Sequence, residues 1–183
     1  MKTTFIAITL LFVAGFVSAQ SKFGILTYSV PANWKTIQQS PMLILEKAQL
    51  KKTAGLCKIE VMQPENAVVN TEKLFLIQLT AKTGFGEKYD AATTKRTEAY
   101  GTICYAAKGT VTINLKQMDC YFYSITNGVQ ACFIRFIKGE ADCSADFQQF
   151  WSSLLVAENS TPLTPNAKKG SSGSGPAAPA PVM

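Results

Sequence analysis

Histidine is absent from all 183 residues. That excludes Ser-His-Asp and Cys-His catalysis, a histidine base working near neutral pH, and most zinc and copper sites. No Cys-x-x-Cys occurs, so neither thioredoxin-like redox chemistry nor a structural zinc is supported. No apolar run after the N-terminus is long enough to span a bilayer, which takes about 20 residues. The glycines of TGFGEK (83–88) do not follow a strand, so a dinucleotide-binding or phosphate-binding loop is not expected. No basic stripe interleaves with aromatics: within the domain the lysines are scattered, with Lys51-Lys52 their only adjacent pair, which argues against a nucleic-acid partner.

The two ends have compositions of their own. MKTTFIAITLLFVAGFVSA (1–19) has a positive start at Lys2, an apolar run over 5–17 and small residues at 17–19. These are the parts of a secretory signal peptide, too short for a membrane span. The mature chain is expected to begin at Gln20, exported to the periplasm or the medium. No cysteine follows the cleavage point, so a bacterial lipoprotein anchor is not supported. The far end, 158–183, has no aromatic residue and much Pro, Ser, Gly and Ala. Such a stretch reads as a flexible tail or a linker. Residues 20–157 remain as a single domain with room for a sizeable core. Without Lys2, Lys168, Lys169 and Glu158 the formal charge falls from +6 to a mildly basic +4.

Within the domain, strands are expected over 25–30 (ended by Pro31), 42–46 and 57–62. The last two form a hairpin around KAQLKKTAGL (47–56). A helix is expected over 70–83, with Asn70 as N-cap, Glu72 near the positive end of its dipole, Leu74, Ile77 and Ala81 with Leu76 or Leu79 alongside as its apolar stripe, and Gly84 as its stop. Strands over 96–107 and 110–117 flank a Lys108-Gly109 turn, with Gly101 as a bulge or break. Strands over 120–126 and 129–137 flank Asn127-Gly128, a strong hairpin signal. The closing helix is expected to have Ser144 as its N-cap, with Asp146 in its first turn. Phe147, Phe150, Trp151, Leu154 and Leu155 lie on one face, each contributing about 1.5–3 kcal/mol on burial. Hairpins without a strand–helix–strand repeat give an α+β fold: a mainly antiparallel sheet of six or seven strands with two helices packed on it.

Five cysteines (Cys57, Cys104, Cys120, Cys132, Cys143) leave at least one free thiol in a monomer. The Asn127-Gly128 turn sets Cys132 opposite Tyr123 and Cys120 opposite Arg135, on opposite faces. The Lys108-Gly109 turn sets Cys104 opposite Ile113. Cys57, Cys104 and Cys132 read as small core residues. Cys120 and Cys143 lie at element edges and are the pair expected to bond if any does. Asp142 and Asp146 are close in sequence, but Asp146 has the simpler role of starting a helix. The 120–137 hairpin is apolar on both faces, so helices should cover both sides rather than leave an aromatic platform. Trp34, following a strand-ending proline, should fold back over the end of the core.

The strand running into Pro31-x-x-Trp34, a hairpin, a helix, a meander of strands and a final helix written ADFQQFWSSL (145–154) together resemble the PsbP-like fold, shared with the DcrB-like envelope proteins. The resemblance covers nearly all of 20–156 and rests on the order of elements. It implies a PsbP-like sandwich, and members that are largely non-catalytic accessory, adaptor or chaperone-like proteins. Some PsbP-type proteins bind metals through histidine; this chain has none, so no metal carries over. No catalytic residue, cofactor or metal is assigned. The expected role is a non-catalytic binding or accessory domain of the cell envelope, taking a protein or small ligand of unknown identity. The alternatives are an enzyme using carboxylates or a free cysteine, and a domain that positions another one beyond the linker.

Overall fold

A computed structural model describes residues 20–47, 56–67, 70–82, 87–99, 102–139 and 142–158. The expected signal peptide, nearly all of the tail, the interior of the 47–56 connection, Gly84 and Gly101 lie outside the described residues. Strands β1 (Gln20–Phe23) and β2 (Leu26–Ser29) form a small antiparallel sheet with a late strand, β12 (Leu155–Val156), in the order β1-β2-β12. The larger sheet has nine strands among the described residues, more than the expected six or seven. These are β3 (Trp34–Gln38), β4 (Leu43–Lys47), β5 (Cys57–Val61), β6 (Glu65–Asn66), β7 (Glu87–Tyr89), β8 (Lys95–Ala99), β9 (Thr102–Ile113), β10 (Lys116–Thr126) and β11 (Gln130–Lys138). They run in the order β3-β4-β5-β11-β10-β9-β7, while β6 pairs with β11 and β8 with β9. Every pairing is antiparallel. With helices α1 (Thr71–Lys82) and α2 (Ser144–Ser152), the class is α+β.

The strand expected over 96–107 is divided between β8 and β9. Among the strands that were not expected, β7 is a three-residue edge that pairs with the outer side of β9. Pairing with a long neighbour holds it, so its own sequence need not announce it.

Two expected turns move. Lys108-Gly109 is not a turn: β9 runs straight through it, and the reversal comes at Asn114 and Leu115, both with positive φ. Positive φ at both central residues is what a tight hairpin turn of this hand requires. Cys104 consequently faces Ile125, not Ile113. In the next hairpin the reversal centres on Gly128-Val129. Asn127 braces it by accepting from the Val129 and Gln130 amides, and Gly128 has φ 89°. The register therefore shifts by two residues: Cys132 faces Ile125 and Cys120 faces Ile137. A shift of two preserves the face of every side chain.

The β10–β11 ribbon is covered on both sides, as its pattern requires. On one face Tyr121, Tyr123, Ile134 and Phe136 pack under α2 and the small sheet. The α2 residues Phe147, Phe150 and Trp151 are buried there, with Phe147 stacked on Phe136 at 4.3 Å between ring centroids. Trp34 is buried in the same cluster, closing one end of the core. Leu154 is also buried, but Leu155 belongs to β12 rather than to the helix. The N-cap of α2 is Cys143, one residue before the expected Ser144.

On the other face, α1 seals Phe122 and Phe133. Asn70 caps it as expected, accepting from the Lys73 amide at 2.9 Å. Its buried stripe is Phe75 and Leu79, whereas Ile77 is 53% exposed and Ala81 is exposed. The helix is apolar over most of its circumference, so its own periodicity did not select the face; the aromatic slot between Tyr105 and Phe122 did.

Cys143 bonds to Cys57, not to Cys120. Cys57 opens β5 on the face that α2 covers, while Cys120 lies on the opposite face with Val111 and Ile137. A bond from Cys143 to Cys120 would have to pass through the sheet. The observed bridge spans 86 residues of sequence, and closing a loop of that length constrains the unfolded chain by about 4–5 kcal/mol. The Cys57→Ala/Cys143→Ala double variant is expected to lose stability of that order in urea unfolding. An unchanged midpoint would show that the two sulfurs are not joined.

Candidate functional site

A charged group lies under the face of the sheet that α1 leaves uncovered. Glu60 stands on β5 between Ile59 and Val61, and Arg135 lies directly opposite it on β11. Both side chains point away from α2. The Arg135 Nε donates to Glu60 Oε2 at 2.6 Å, and its Nη2 pairs with the same oxygen. Its Nη1 pairs with Glu87 Oε1 from β7. Lys58, two residues before Glu60, brings its Nζ to 2.8 Å from Glu60 Oε1. The Tyr89 hydroxyl donates to Glu87 Oε2 at 2.8 Å. All four carboxylate oxygens are thus engaged, and the formal charges of the two acids and two bases cancel.

Gly109 makes the reach from β7 possible. Tyr89 lies opposite it in register, and a Cβ built on Gly109 would come within 2.3 Å of the Lys88 carbonyl oxygen and 2.5 Å of Tyr89 Cδ1. The Tyr89 ring lies against the glycine and continues to Phe122 and Cys120 on β10. Its oxygen is 2.9 Å from Cys120 Sγ. The single hydroxyl proton goes to the Glu87 carboxylate, so the thiol is the donor to the phenol oxygen.

Lys58, Glu60, Glu87 and Arg135 floor a cavity of about 330 Å³. Its walls are apolar: Met42, Met62, Val111, Ile113 and Ile137, with Thr112 at the rim. The acids are sealed, Glu60 and Glu87 each having side chains 2% exposed, whereas Arg135 and Lys58 retain 18% and 22%.

The site residues raised by the sequence are placed as follows. Cys120 is buried at the back of this cluster as a free thiol. Burial pushes it up to about 12, and does the same to Cys104 and Cys132. Cys143 is in the disulfide on the far face. Asp142 and Asp146 have separate partners. Asp142 accepts from the Ser144 amide, which holds its carboxyl down near 2, and pairs with Lys138. Asp146 pairs with Lys47 at 2.6 Å. Of the residues that form the cleft, alternation alone places Lys58 and Glu60 on one face of their strand and Arg135 with Phe122. It does not bring β5 beside β11. Glu87 and Tyr89 lie between the expected helix and the expected strand from 96, where the sequence announces no element; their only signal is Gly109, which reads along the chain as a turn residue.

No family model matches the chain, and no curated protein matches it in sequence. Solved structures do share its fold. LpqN of Mycobacterium tuberculosis, described as involved in cell envelope biogenesis, superposes with a TM-score of 0.51 at 10% identity, over 74% of this chain and 81% of LpqN. A Bacteroides thetaiotaomicron VPI-5482 protein superposes with a TM-score of 0.50 at 9% identity, over 75% of this chain. The chain spans only 47% of that protein's length. At such identities the likeness is one of fold. Among the described residues, no helix is long and apolar enough to cross a membrane.

Two outcomes are expected from this geometry. Gly109→Ala should push Tyr89 and β7 off the sheet at a cost of about 1–3 kcal/mol. Amide exchange should quicken in β7 but not in β8, which pairs with the same strand; equal changes in both would contradict the close contact. The thiols give a pH dependence. A raised folded value means that the native chain keeps protons which the unfolded chain, at the ordinary 9.0, gives up. Their contribution is complete below pH 9 and is lost as pH rises towards 12. The urea midpoint should fall across that window, and Cys104, Cys120 and Cys132 should react with a disulfide reagent only after unfolding.

Proposed function

We propose that this chain is an exported, non-catalytic binding or accessory domain of the cell envelope or cell exterior, holding a small ligand in the Arg135 cleft. One observation carries the reading: all four oxygens of Glu60 and Glu87 are held by protein donors, and the nearby thiol is protonated. An acid–base or nucleophilic mechanism needs a free group facing the substrate, and this cleft offers none among its acids and its cysteine. What it offers is apolar wall over a fixed polar floor, the usual build of a ligand pocket. Export is supported by the signal-like N-terminus, by a disulfide of the kind that persists in oxidising compartments, and by the envelope role described for LpqN.

A second reading, a domain that positions another, is favoured by the Bacteroides protein, in which this fold occupies about half of a longer chain. A positioning domain need hold no ligand, which separates the two readings.

The chain from residue 20 onward, mixed with a size-filtered small-molecule extract of cell envelope, is expected to retain a small molecule in native mass spectrometry. Ile113→Trp, which enlarges a side chain on the cleft wall, should abolish that retention. Retention unaffected by Ile113→Trp, or none at all, would overturn the binding reading. Conversion of an extract component at a rate lost in Glu60→Gln would overturn the non-catalytic one.

A further inference from the structure

We propose that the Arg135 cleft takes a medium-chain amphiphile with a carboxylate head, the head meeting Lys58 and Arg135 and the chain lying along the apolar wall. This rests on the reading of the cleft as a binding site and specifies its ligand class.

The argument begins with an asymmetry of exposure. The cluster is formally neutral, but its two signs are not equally accessible. Both acids are sealed at 2% while both bases reach solvent, so a molecule entering the cleft meets cations. Those cations also keep donors in reserve. A guanidinium has five N–H groups and an ammonium has three. The contacts with Glu60 and Glu87 use one on each nitrogen of Arg135, and Glu60 uses one on Lys58. A second N–H remains on each terminal nitrogen of Arg135 and two remain on Lys58. A planar carboxylate matches paired N–H donors of this kind. The acids beneath keep Arg135 from swinging out, so the head would find the guanidinium already oriented. Glu46 lies opposite Lys58 on β4, but it is not among the residues that line the cleft.

The walls set the rest of the ligand. Met42 and Met62 are flexible and polarizable, suited to an apolar chain without fixed shape, and Val111, Ile113 and Ile137 continue the surface. At about 30 Å³ per water-sized group, the cavity of about 330 Å³ has room for about eleven such groups. That is a medium chain with its head, not a phospholipid.

Three probes of one chain length separate head from chain: octanoate, octanol and octylammonium, titrated calorimetrically into the chain from residue 20 onward. Octanoate is expected to bind at least tenfold more tightly than octanol, and octylammonium not at all. Lys58→Met should weaken octanoate at least fivefold and leave octanol unchanged, while Lys58→Arg, which retains the cation, should restore octanoate. Octanol or octylammonium binding as tightly as octanoate would overturn the carboxylate head and leave the cleft a binding site. No heat with any probe would overturn the amphiphile, while the extract experiment still decides whether the cleft binds anything.

Discussion

Strands β10 and β11 carry large apolar side chains on both faces, and neither face tolerates water. Tyr121, Tyr123, Ile134 and Phe136 look one way; Phe122, Phe133 and Ile137 look the other. A ribbon of this kind has to be the middle layer of the molecule. The remaining elements are placed by that requirement. Helix α2 and the small sheet close one side, and α1 closes part of the other. Disulfide Cys57–Cys143 ties the start of β5 to the start of α2 on the first side.

The second side is not closed throughout, and there the sheet departs from hydrocarbon. Helix α1 covers Phe122 and Phe133 but not Arg135. Burying one guanidinium in this layer requires compensation, since an unpaired charge away from water is costly. Glu60 supplies it from the adjacent strand. Glu87 supplies it from β7, three strands beyond β11 in the sheet order, which is possible because Gly109 lets Tyr89 and β7 lie close against β9. A glycine without a side chain, an aromatic ring across it and an edge strand of three residues thus belong to the same device. It leaves a polar floor with apolar walls, which is the basis for reading the cleft as a binding site.

Fold and function are separate questions in this molecule. Structures at 9–10% identity share its architecture, and that architecture by itself does not carry an activity. The functional reading stands on the residues of the cleft, none of which belongs to the Pro31-x-x-Trp34 or ADFQQFWSSL stretches that carried the resemblance in sequence.

Much of the local pattern was legible along the chain. Alternation in CKIEVM and in the 120–137 hairpin assigned each side chain to a face, and those assignments survive a register shift of two because the strand period is two. The 3.6-residue spacing of Phe147, Phe150 and Trp151 marked α2, and Asn70 marked the start of α1. The α1 face was not legible, because Leu74, Leu76, Ile77 and Leu79 offer apolar residues in every direction. The short edge strand β7 was also hidden: it is held by β9 and carries no pattern of its own.

The sequence by itself determined which chemistries are excluded, by having no histidine, and which residues share a face, because both depend only on composition and on the repeat of the local backbone. Tertiary structure alone decided which faces meet. It put Cys57 rather than Cys120 beside Cys143, and it gathered Lys58, Glu60, Glu87 and Arg135 around one cavity. These residues come from three separate strands, and their contact depends on strand order and register, which long-range packing sets and neighbouring residues do not encode.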